Sequence, residues 1–103
     1  MATADSKFDP KRPGATELFG WDFSRALSPN EIINSAAVAV EFVSGSPDAN
    51  PSSMALNAPV IAGNKVNQLI TGGINGNTYN IRFTANTSMN QVLEAVGSVL
   101  IRD

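Results

Sequence analysis

The sequence predicts an all-β antiparallel sandwich of six or seven short strands preceded by an extended N-terminal arm. Three observations carry that expectation. Apolar and polar residues alternate over several short stretches, which is the period of a half-buried strand. Gly, Pro, Asn, Asp and Ser gather between those stretches, where chain reversals need them. No stretch sustains a helical period that a strand reading does not serve better.

Residues 1–13 interleave Lys7, Lys11 and Arg12 with Asp5 and Asp9 and add Pro10 and Pro13, followed by Gly14, with neither a helical nor a strand period, so they read as the arm. In residues 17–23 the rings of Phe19, Trp21 and Phe23 fall on one face of a first strand. Residues 24–31 (SRALSPNE) suit a turn or a single helical turn. Residues 32–43 (IINSAAVAVEFV) place Ala36, Val38, Val40 and Phe42 on one face and Ser35, Ala37, Ala39 and Glu41 on the other. Ala-richness admits a helix there, but the β-branched pattern favours a long second strand.

Residues 44–53 (SGSPDANPSS) form a loop. Residues 54–62 are interrupted by Pro59, which cannot donate to a ladder, so they read as an edge strand or two short pieces. Gly63 and Asn64 turn the chain into residues 65–71, where Val66, Gln68 and Ile70 oppose Asn67 and Leu69. Residues 72–77 (GGINGN) supply positive-φ positions for the next reversal. Tyr79, Ile81, Phe83 and Ala85 then mark the clearest strand, residues 78–86. After a polar loop, residues 92–102 offer Leu93, Ala95, Val99 and Ile101 to the core, with Gly97 read as a bulge. Short strands with a turn signal at each end make the sandwich immunoglobulin-like, with a core expected around Phe19, Trp21, Val38, Val40, Tyr79, Ile81 and Phe83. The boundaries expected are an arm over residues 1–14 and one domain over residues 15–103.

At 103 residues the chain can bury one continuous core but not two. About a quarter of it is Ile, Leu, Val or Phe, above the roughly 20% below which chains stay disordered. Without Cys there is neither disulfide nor thiolate metal site, which suits assembly in a reducing cytoplasm. No apolar run has the length of a signal peptide core or a membrane span, so neither export by that route nor a membrane partner is expected. A formal net charge of −2 and scattered cations lack the basic footprint that nucleic acid requires. Charged residues are only 16%, so neighbours could cover this surface at little desolvation cost.

With no His, imidazole bases, Ser-His-Asp and Cys-His nucleophiles and histidine metal sites are excluded. The nine Asp and Glu could in principle supply a carboxylate pair, but none stands at a telling spacing and they read as surface charge. Neither calcium-loop spacing nor a phosphate-binding Gly-Lys-Ser/Thr follows the glycines of residues 72–76, which read as a turn. The Asn86-Thr87-Ser88 sequon carries no weight without a signal peptide. Trp21 and Tyr79 could stack on sugars, yet both lie in phase with apolar strand neighbours and read as core. No catalytic, metal or cofactor residue is expected, and no small-molecule substrate. The arm stands apart: Phe8, Asp9, Pro10, Lys11, Arg12 and Pro13 combine an aromatic anchor, two prolines that limit free-state entropy, and charged tips. They are the expected partner-docking residues, against the plain alternative of a functionless tail.

Lys11-Arg12-Pro13-Gly14 leading into Trp21-Asp22-Phe23-Ser24, then Leu27-Ser28-Pro29-Asn30-Glu31-Ile32-Ile33, resembles the small phage proteins described as fiber-tail adaptors. Thr71-Gly72-Gly73-Ile74-Asn75-Gly76-Asn77-Thr78-Tyr79 is similar to their Gly-Gly turn entering a core strand. The resemblance covers roughly residues 10 to 102 and implies an immunoglobulin-like virion part with no enzymatic role, linking tail to fibers or to neighbouring tail or neck proteins. It implies a symmetric multi-copy assembly in the tail region of the virion, after folding in the host cytoplasm. A capsid decoration protein and a free carbohydrate-binding module are the alternatives. The apolar last strand leads us to expect that another subunit covers its second face.

Overall fold

The computed structural model describes the backbone of residues 4–103 and side chains from residue 7 onward. The first three residues of the expected arm lie outside the described residues. Seven strands follow in order: β1 (Ala4–Lys7), β2 (Thr16–Asp22), β3 (Ile33–Ser44), β4 (Ala55–Ala62), β5 (Lys65–Thr71), β6 (Thr78–Thr87) and β7 (Val92–Leu100). A single 3₁₀ turn, Pro51–Met54, enters β4 with proline in its first turn, where a missing N–H costs nothing.

Two sheets pack face to face, one ordered β1-β7-β6-β3 and the other β2-β5-β4. An immunoglobulin constant-type sandwich groups strands one, two, five and four against three, six and seven. Here the first strand has instead crossed over to lie parallel to β7, from Ala4 beside Ala95 to Lys7 beside Ser98. Among the described residues every other strand-to-strand pairing is antiparallel.

The alternation seen in sequence sets the core. Phe19, Phe23, Val40, Tyr79, Ile81, Phe83 and Ala85 are buried, as are Val66, Ile70, Leu93, Ala95, Val99 and Ile101. Trp21 and Val38 are half-buried and packed against this cluster. No disulfide joins the sheets; aromatic rings do, with Trp21 of β2 at 6.4 Å from Phe83 of β6. Gln68 is the buried polar member of β5. Its Nε2 donates to the carbonyls of Leu56, Asn57 and Leu69 at 2.9–3.1 Å, satisfying oxygens where β4 slips register between Leu56 and Val60.

Two sequence expectations change. The β6–β7 register runs unbroken through Gly97, so no bulge lies there. Gly97 is needed because the Phe8 ring rests on it, and a Cβ would overlap that ring. The arm, which shows no strand period, nonetheless pairs as β1, because β7 offers it a free edge. The chain itself covers that edge along residues 95–98.

Candidate functional site

The six expected docking residues leave β1 and run along one end of the sandwich. The Phe8 amide donates to the Ser98 carbonyl at 2.8 Å, and its ring turns inward, edge-on to Phe19 at 5.0 Å and to Phe83 at 6.3 Å. Phe8 therefore anchors the arm to its own core. Asp9 and Pro10 follow, both exposed. Lys11 donates its amide to Leu100 and accepts from Arg102, forming a parallel bridge to Ile101. Its side chain is 0% exposed, and its ammonium reaches the carbonyls of Gly72 at 2.7 Å and Arg12 at 2.8 Å. Burial pushes the Lys11 amine below its ordinary value, partly countered by the Glu17 charge. Arg12 is exposed again, its carbonyl accepting from Ala15 in a tight turn, and Pro13 is half-buried.

Of the six, then, the side chains of Phe8 and Lys11 are engaged within the molecule, while Asp9, Pro10 and Arg12 face outward. Sequence reasoning missed the buried lysine because an isolated Lys ordinarily reads as surface.

The floor beneath this segment is a hydrogen-bonded network. Gly72, Gly73 and Gly76 adopt positive φ in the β5–β6 turn, and a Cβ on Gly73 would meet Ile101 at 2.9 Å. The Tyr79 hydroxyl donates to Asp48 at 2.8 Å and accepts from the Ile74 amide at 3.2 Å, the tyrosine-corner arrangement of such sandwiches. Asn77 pairs with both backbone groups of Ser46 at 2.8 Å, acting like a strand neighbour for the β3–β4 loop. The docking segment thus sits on the β5–β6 turn, which is locked to the β3–β4 loop.

The opposite end has its own organiser. Glu31 is 4% exposed and accepts from the Ser28 amide at 2.8 Å, the Gln91 amide group at 2.8 and 2.9 Å, and the Thr87 hydroxyl. These bonds, Ser28 and Thr87 first, hold its carboxyl below the usual range against the opposing effect of desolvation. The Ser28-to-Glu31 spacing of a capping box was the available signal. Around it Ile32, Met89 and Val92 stand exposed. A second exposed apolar feature, on the outer face of β2-β5-β4, is the cross-strand row of Leu18, Leu69 and Leu56.

Glu31 and Asp48 are committed to structural hydrogen bonds, Asp22 caps the Ser24 amide, and no cluster of three potential metal ligands exists among the described residues. Tyr79 has no exposed ring for a sugar to stack on, and Trp21 lies against Phe83.

Residues 11–100 match the family described as Podophage GP4 fiber-tail adaptor protein gp77. The match begins at Lys11, so β1 and Phe8 precede it. No curated protein matches the chain.

Proposed function

The chain belongs to the podophage fiber-tail adaptor family, and from that premise we propose that it is a non-enzymatic structural adaptor joining the tail to fibers or to neighbouring tail or neck proteins. In this reading residues 1–14 are the docking arm and residues 15–103 the body that carries it. The contact is made by Asp9, Pro10, Arg12 and Pro13, while Phe8 and Lys11 fix their position from beneath. The protein folds in the host cytoplasm and joins the tail as one of several symmetric copies.

The observation that supports this reading best is the buried Lys11. An ammonium drawn out of water to bind Gly72 and Arg12 is a costly way to hold a functionless tail, but it presets the residues on either side of it. A partner then meets a segment whose ordering entropy is already spent.

The test is incorporation. Particles assembled with Asp9→Ala/Arg12→Ala protein, separated into heads and tails and examined by mass spectrometry, should carry the chain in tails at reduced copy number or lack fibers. Wild-type protein recovered on heads would overturn the tail reading, and an unchanged variant would overturn the docking segment.

A further inference from the structure

Each sheet has two edges, and three of the four are defended against pairing. β1 is only 4 residues long and ends on the exposed Lys7. β2 is 7 residues and carries Glu17 and Asp22. β4 contains Pro59 and is broken between Leu56 and Val60, with Asn57 at φ 66°. The fourth edge, β3, is the longest strand at 12 residues, with no proline, no glycine and a single charge, Glu41. That charge is matched within the chain by Arg82 at 3.3 Å.

β3 is also incompletely buried. The core-facing residues of its neighbour β6, Tyr79, Ile81, Phe83 and Ala85, are all 0% exposed, whereas Ala36, Val38 and Phe42 of β3 remain half-exposed. The 3₁₀ turn and β4 approach β3 from the facing sheet. Yet among the described residues no backbone hydrogen bond outside the sheet ladders involves residues 33–44. A row of backbone donors and acceptors at strand spacing is complemented best by another extended strand.

We infer that the free edge of β3 pairs antiparallel with β3 of a second copy, joining two four-stranded sheets across a two-fold axis near Val38. The sequence around that residue, Ala36-Ala37-Val38-Ala39-Val40, is nearly palindromic in size and shape. In this register Ala37 faces Ala39 of the second copy, Val38 meets its own counterpart, and Glu41 lies opposite Ser35, so the two Glu41 charges stay apart. Register shifts at Ile33/Ser35 and Phe42/Ser44 bound the regular stretch, which this register uses almost whole. The contact is isologous and closes as a dimer. This inference does not depend on the adaptor reading.

Sedimentation of the full-length chain across a concentration series tests it, with an expected mass of twice 10.8 kDa. Ala37→Lys/Ala39→Lys should weaken association at least about tenfold by setting like charges opposite one another. Mixing that variant with Ala37→Glu/Ala39→Glu should restore a heterodimer, which a misfolded variant could not do. Because the chain lacks Cys, Ala37→Cys/Ala39→Cys should oxidise to a disulfide-linked dimer with no competing thiol. A wild-type monomer throughout, a dimer indifferent to these charges, or β3 amides protected only within assembled particles would each overturn the second copy as the occupant.

Discussion

The two ends of the sandwich solve one problem with opposite chemistry. At the arm end, Lys11 donates to backbone carbonyls, while Asn77 and Tyr79 bind the neighbouring loops. Its outer surface carries Asp9, Arg12, Arg102 and Asp103. At the opposite end one carboxylate, Glu31, accepts from both connections it joins, and residues 86–92, from the end of β6 to the start of β7, carry no charge while exposing Met89 and Val92. Both ends are preorganised by a buried ionisable group. They differ in what they present: Asp9, Arg12, Arg102 and Asp103 at one, and at the other an uncharged β6–β7 loop with exposed Met89 and Val92, beside a β2–β3 connection that carries Arg25. A single fold therefore offers two preorganised ends with different surfaces.

The sharpest way to break the comparison is to loosen one end alone. Tyr79→Phe removes the hydroxyl shared by Asp48, Asn77 and Ile74, leaves buried polar groups unpaired, and should cost about 2–3 kcal/mol in urea unfolding. Amide exchange should quicken in the β3–β4 and β5–β6 loops while residues 87–91 keep their protection. Gly97→Ala should cost about 1–2 kcal/mol by forcing the Phe8 ring off β7, and should expose β1 to limited proteolysis.

The pH dependence separates the ends by window, since stability rises with pH at both, in the acid range through Glu31 and in the alkaline range through Lys11. Glu31 is held below its unfolded value, so its contribution is present above about pH 4.5 and lost as pH falls through the folded value. Lys11 is lowered from 10.5, so the folded state releases its proton first, and stability rises with pH from the folded value toward 10.5. Thermal unfolding followed across pH should show Glu31→Gln flattening the acid limb and Lys11→Met the alkaline limb. Exchange of those effects between the two variants would break the assignment. The smallest expected effects are on folding itself: Arg12→Ala and Met89→Ser should each shift stability by less than about 0.5 kcal/mol, leaving changes in tail incorporation attributable to lost contacts.

What could be read from sequence divides along physical lines. Strands whose faces differ in polarity declared themselves, and the alternation through Val66, Gln68 and Ile70 or Tyr79, Ile81 and Phe83 carried through to burial. β1 did not, because residues ADSK hold no alternation; the strand exists through a backbone edge more than 85 residues away in the chain. Gly97 was ambiguous for a similar reason, since bulge and overlying ring both demand a missing Cβ. The 3₁₀ turn was signalled only by Pro51. Lys11 and Glu31 were hidden because a charge reads as surface unless its partners are known, and the Gly72 carbonyl that holds Lys11 and the Thr87 and Gln91 side chains that hold Glu31 are distant in sequence. The docking residues were legible as a segment, but which of them face outward was decided by the fold.

The most direct test of the adaptor account is a density map of the intact phage particle. It should place this chain in the tail, next to a fiber or neighbouring tail protein, with Asp9, Pro10 and Arg12 against another chain. A chain seated on the capsid shell, or one in the tail whose residues 9–13 face solvent, would contradict it.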